Sequence, residues 1–230
     1  MKKLLKTSIL TFLMCIAFIF TLIKSPGQIT TVLTQITNDM HIWAMTMHAA
    51  YLILILIGVI FKEIRNIVFP TLMLILSASA TVVSILYMII PNVIIFATFF
   101  VLTLIAFVHK ELNFDFASLK PINKVIGVIA LAFAFYYLHW VENPLFINAI
   151  FYSPLGIVNC PTILAFCGFL CFLKQPGSKY LEFFVASITL YFGFFGIMRL
   201  GAYIDIFLII TAVYIIIRKA SFLDSKYFYN

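Results

Sequence analysis

Apolar runs at about residues 8–23, 42–61, 67–90, 92–108, 125–141, 158–173, 180–200 and 202–217 follow one another with only short polar or charged punctuation. Most approach the roughly 20 residues that a helix needs to cross a bilayer, and a soluble fold has nowhere to bury so many of them. Composition agrees: 64% of residues are hydrophobic and 10% charged, with a mean hydropathy of +1.16, whereas soluble domains carry about 25% charged residues. The sequence predicts an all-α integral membrane bundle of eight transmembrane helices, a single domain over residues 1–230.

The net charge of +7 would point to nucleic acid in a soluble chain. Here its placement matters more, because basic residues beside apolar spans are read during insertion. With the N-terminus cytoplasmic, eight spans put Lys2, Lys3, Lys6, Lys62, Arg65, Lys110, Lys120, Lys124, Lys174, Lys179, Arg218, Lys219 and Lys226 inside. Only Lys24 and Arg199 stay outside, thirteen against two. Both termini are then cytoplasmic, the expected location is the plasma membrane, and the expected partner is the lipid bilayer, not nucleic acid. Residues 1–24 have the layout of a secretory signal, but "KSPGQ" offers no small-residue cleavage site, so an uncleaved signal-anchor is the expectation. Pro91 and Asn92 mark a hairpin between the third and fourth runs. The stretch His109 to Lys124 is expected to be a solvated connector with Phe114 and Phe116 near the interface.

The four cysteines form no C-x-x-C or zinc-type spacing. Cys160, Cys167 and Cys171 share a helical face, but the first and last lie about 16 Å apart along the axis and cannot hold one metal. Cys15, Cys167 and Cys171 read as small buried hydrophobes; Gly168, Gly193 and Gly196 read as close helix packing. The sequence leaves both a cofactor and a metal open.

Polar residues within or beside the spans concentrate in the outer half. They are His41 and His48, seven apart on one helical face, then His139 and Glu142, Asn159 and Cys160, and Arg199 and Asp205. Asp205 is the sharpest of these, since a carboxylate inside a span costs about 2.5–3.5 kcal/mol and needs a partner. Arg199 or an outer histidine is the expected one. Glu182 and His109, near the inner surface, are explained by snorkelling.

The stretch "SPLGIVNCPT", residues 153–162, breaks the sixth run. A helix from near Pro161 to Lys174 rises only about 20 Å, so it begins below the outer surface. Asn159 or Cys160 is the expected cap, with Pro161 in the first turn and Gly156 and Thr162 shaping the break. Irregular backbone at that depth must be buried or line a wet cavity. On this reading the helix aims its positive end, with Cys160, into an outward-facing polar pocket reachable by water-soluble thiol reagents. A continuous helix from about Leu155, kinked at Pro161, is the alternative.

"SPLGIVNCPTILAFCGFL" and "GFFGIMRLGAYIDIFLII" together resemble a bacterial family of small multi-pass membrane proteins of unknown function, which carry a Gly-x-x-Pro-Cys-Pro-Thr element and an acidic residue in the last span. Gly156, Cys160, Pro161, Thr162, Gly168 and Asp205 match, Asn159 replaces the usual proline, and the similarity covers residues 38–217. The resemblance implies a fold and no activity. The leading functional expectation is a transporter- or permease-like protein for a small solute or ion. Two alternatives stand: a non-catalytic subunit or assembly factor, and a membrane enzyme using Cys160 or a His/Glu metal site. Against the enzyme, no HExxH, Ser-x-x-Lys or paired-carboxylate motif is present.

Overall fold

The computed structural model describes residues 2–137, 139–140 and 146–228. Ten α-helices follow in order: α1 (Lys2–Ile23), α2 (Pro26–Asp39), α3 (His41–Ile60), α4 (Arg65–Leu86), α5 (Ile90–Val108), α6 (Pro121–Phe135), α7 (Phe146–Tyr152), α8 (Asn159–Cys171), α9 (Lys179–Leu200) and α10 (Ile206–Phe228). A 3₁₀ turn, Tyr203–Asp205, joins the last two. Among the described residues five helices are long and apolar enough to cross a membrane: α1, α3, α4, α5 and α9. Two more, α6 and α8, are apolar but shorter, at 15 and 13 residues.

The middle of the bundle belongs to α8. Every one of its residues is buried, because α4, α6, α9 and α10 all pack around it. Close approach is allowed by missing side chains: a Cβ on Gly168 would come 2.6 Å from Leu131 of α6, and one on Gly193 would come 2.6 Å from Ile209 of α10. Long helices carry their apolar surplus outward, with Ile53, Leu56, Val101 and Ile105 exposed, as lipid-facing positions should be.

Several local features depart from the sequence reading. The segment expected as an outer loop after the first run is a helix, α2, started by a capping box in which Ser25 and Gln28 satisfy each other's backbone N–H. It buries Leu33, Ile36 and Thr37 and leaves its other face polar. The α4–α5 hairpin turns at Tyr87–Ile89, with Met88 at φ 53°, slightly before Pro91. The fifth run was expected to remain helical to about residue 141, yet α6 stops at Phe135. There the Tyr137 N–H bonds to the Ser153 hydroxyl and leaves the helical ladder.

At both ends of the bundle arginines meet helix carbonyls. Arg199 reaches the carbonyls of Leu22 and Lys24 at 3.1 and 2.9 Å, which places both basic residues at one end. At the other end Arg65 caps α3 through Gly58 and Val59, and Arg218 caps α8 through Leu170, Cys171 and Leu173. The connector 109–120 packs onto that second end. Leu112, Phe114 and Leu119 are buried, Phe114 pairs in a single β-bridge with Leu173, and Asn66 holds the Phe114 N–H at 2.7 Å. It is therefore a packed cover and not a solvated connector. Glu182 is likewise buried and bound to Lys219 at 2.6 Å, where snorkelling alone was expected.

Candidate functional site

The break in the sixth run is a full interruption. A short helix, α7, ends at Tyr152, irregular backbone follows over 153–158, and α8 begins at Asn159. The reversal needs Gly156, whose φ is +73° and whose missing Cβ would meet Leu76 at 3.1 Å and Met47 at 3.3 Å. Neither Asn159 nor Cys160 caps α8; the cap position is Val158, in extended backbone, and no side chain caps it. Thr162 does the stitching instead. Its hydroxyl donates to the Val158 carbonyl at 2.7 Å and accepts the Gly156 N–H at 2.9 Å. On the other side, Trp43 donates to Ser79 at 2.8 Å, and Ser79 donates to the Gly156 carbonyl at 2.6 Å. The turn is thus tied to α3, α4 and the end of α6, and few of its backbone groups are left loose.

This scaffold brings three polar side chains together. Asp205 has no solvent exposure, accepts a hydrogen bond from the Tyr137 hydroxyl at 2.6 Å, and accepts another from the Cys160 thiol at 3.3 Å. Each comes from a different break: Tyr137 beyond the end of α6, Cys160 at the start of α8, and Asp205 in the turn between α9 and α10. Gly196 makes room, since a Cβ there would overlap Asp205 Oδ2 and lie 2.8 Å from its Cγ. Gly201, at φ +68°, ends α9 and lets the chain fold back so that the Asp205 N–H reaches Ala202.

Arg199 is not the partner of Asp205. It sits half-buried on the last turn of α9 and donates to the carbonyls that close α1, where a cation is favoured by the helix dipole. Among the described residues no basic group lies within 4 Å of Asp205. The histidines also go elsewhere. His41 is exposed and bonds to the Asn38 carbonyl; His48 is buried and bonds to the Ile150 carbonyl of α7 at 2.6 Å; His139 stacks edge-on against Trp140 at 4.2 Å. Glu142 lies outside the described residues. Cys15 is exposed on α1, while Cys167 and Cys171 are buried, so the expectation of three buried thiols holds for two. Cys160 is 3% exposed and so is closed to water-soluble reagents in this conformation, unlike the accessible thiol expected from the sequence.

Asn159 turns toward a cavity of about 300 Å³ between α1, α2, α5 and α9, at the end of the bundle that carries Lys24. Its walls are mainly apolar, including Phe20, Ile29, Leu33, Phe192 and Phe195, with Thr21, Lys24, Asn92 and Asn159 as polar exceptions. The expected polar pocket therefore divides in two: a closed hydrogen-bonded cluster at Asp205 and a mostly apolar cavity beside Asn159. The Asn159 side-chain oxygen is buried without a hydrogen-bond partner among the described residues. Pro161 is buried in the first turn of α8.

Tyr137, Ser153 and Ser79 were not singled out by the sequence. Tyr137 lies within the fifth apolar run, Ser79 within the third, and Ser153 opens the break at residues 153–162. Only the packing of helices far apart in sequence gives them these roles. Among the described residues no group of three His, Cys, Asp or Glu side chains is placed to hold a metal. No family model matches the chain, and neither a curated protein nor a solved structure matches it significantly.

Proposed function

We propose that this protein is a transporter- or permease-like membrane protein for a small solute or ion, and that the Asp205, Cys160 and Tyr137 cluster is its working centre. One observation carries the reading: a carboxylate without a cationic partner among the described residues is buried where three interrupted helices meet. Broken helices converging on a buried polar group are how many transporters build a midplane site. A buried ionisable group within spans is by default a functional candidate. Asn159, the neighbour of Cys160 in the chain, lines a cavity at one end of the bundle.

In the same reading the chain crosses the plasma membrane eight times. The five long helices are joined by α10 and by the short pair α6 and α8, whose spans are completed by the irregular segments next to them. Both termini are cytoplasmic, with the basic end of the bundle inside. The kinship with the bacterial family of unknown function is part of the proposal; its support is that Gly156, Cys160, Thr162 and Asp205 all belong to the break and its cluster.

The test uses purified full-length protein in liposomes loaded with a pH-sensitive dye, with single amino acids, sugars and inorganic cations added outside in turn. At least one solute is expected to drive proton movement with the wild type and none with Asp205→Asn. Proton traces indistinguishable between the two proteins for every solute would sink the reading.

A further inference from the structure

A second cavity lies at the opposite, basic end of the bundle and is separate from the Asp205 cluster. It has a volume of about 600 Å³ and sits between the start of α6, the segment after α8 and the middle of α10. Lys120, Lys174 and Arg218 line it, together with Ser118, Gln175 and Ser221, and among the described residues no Asp or Glu lines it. The first turn of α6 opens onto it through Ile122 and Asn123, with Pro121 at the start and no side chain capping the helix. An uncapped helix start adds positive potential to that of the three cations.

Among the described residues no carboxylate hydrogen-bonds to these three cations. Arg218 donates to carbonyls of the α8 terminus and not to a carboxylate. Lys174 comes no nearer than 4.0 Å to Asp115, with side chains 52% and 35% exposed. The Asp115 carboxyl is held below its usual range first by the Ser118 side chain and next by the Ala117 N–H, with Lys174 a smaller influence. An exposed pair at that distance neutralises little.

The lower wall is apolar. Ile122 and Ile217 are 50% and 58% exposed, on helices whose neighbouring faces are suited to lipid. Tyr214 crosses between them and donates its hydroxyl to Asn123. Polar cationic rim and apolar floor therefore meet in one concavity at the edge of the bundle.

We propose that this cavity binds the phosphodiester headgroup of an anionic phospholipid. Lys120 and Lys174 face the phosphate, Ser118 and Ser221 lie beside the glycerol or headgroup hydroxyls, and an acyl chain runs along Ile122 and Ile217. A free phosphate would meet the same cations but gain nothing from the apolar wall. Basic pockets between membrane helices recognise anionic headgroups in this way, each nearby cation adding to the attraction.

Native mass spectrometry of the detergent-solubilised full chain with equal amounts of phosphatidylglycerol and phosphatidylcholine tests this. Wild type is expected to retain phosphatidylglycerol preferentially. The double variant Lys120→Gln/Lys174→Gln is expected to lose that preference by roughly tenfold or more. Ser221→Asp, which places a negative charge in the rim, is expected to lose it as well. The variant Lys62→Gln/Lys110→Gln, which removes two exposed cations elsewhere at the same end, should keep it. Equal retention of both lipids by wild type overturns the proposal, as does unchanged preference in Ser221→Asp and in the cavity double variant. Equal loss in the control variant would assign the effect to bulk charge. Complete displacement by inorganic phosphate would make the ligand a free anion.

Discussion

Tyr137→Phe removes one of two donors to a fully buried carboxylate and leaves the oxygen with nothing in exchange. Unfolding of the purified protein in detergent is expected to show a loss of about 1–3 kcal/mol, the range for stranding a buried polar group. Cys160→Ser keeps a donor toward Asp205 and should lose less than Cys160→Val. If Val and Ser behave alike, the thiol hydrogen bond contributes nothing to the fold. Gly196→Ala tests the same cluster from the far side. Its new Cβ overlaps Asp205, so the carboxylate must move or α9 must shift, at a cost of about 1–3 kcal/mol. Unfolding midpoints equal to wild type would mean that Asp205 is not held against α9.

At the scale of elements, α8 depends on its two ends. Its start relies on the Gly156 turn, and Gly156→Ala forces a side chain into left-handed backbone, costing about 1–2 kcal/mol besides the close approach to Leu76 and Met47. Its finish relies on Arg218, which serves carbonyls of residues 170, 171 and 173. Arg218→Leu should destabilise by about 1–3 kcal/mol. Arg218→Lys should recover only part of that, because an ammonium lacks the planar fork that reaches several acceptors together. Equal midpoints for Arg218→Leu and wild type would show that water serves those carbonyls instead.

For the whole molecule, topology and exposure give two further outcomes. Reporter fusions after Lys174 and after Asn230 are both expected to read cytoplasmic; an opposite reading at either place removes the eight-span arrangement. A membrane-permeant maleimide on folded, solubilised protein should modify Cys15 and spare Cys160, Cys167 and Cys171. All four should react after denaturation. Rapid modification of Cys160 in the folded protein would mean that the Asp205 cluster is open and not closed.

Membrane character and the interruption at residues 153–162 were legible in the sequence, because each follows from local properties. Apolar length, charge beside a span, and Gly or Pro within one act over a few residues. The shortness of α8 came from the same source. The partners of Asp205 were not legible. Tyr137 and Cys160 lie 68 and 45 positions away, and nearness in sequence pointed instead to Arg199, which the fold turns outward to α1. The burial of Leu112, Phe114 and Leu119 against the end of α8 was hidden for the same reason. A buried polar group must find its hydrogen bonds among whatever helices pack around it, and that packing is set by the tertiary structure alone.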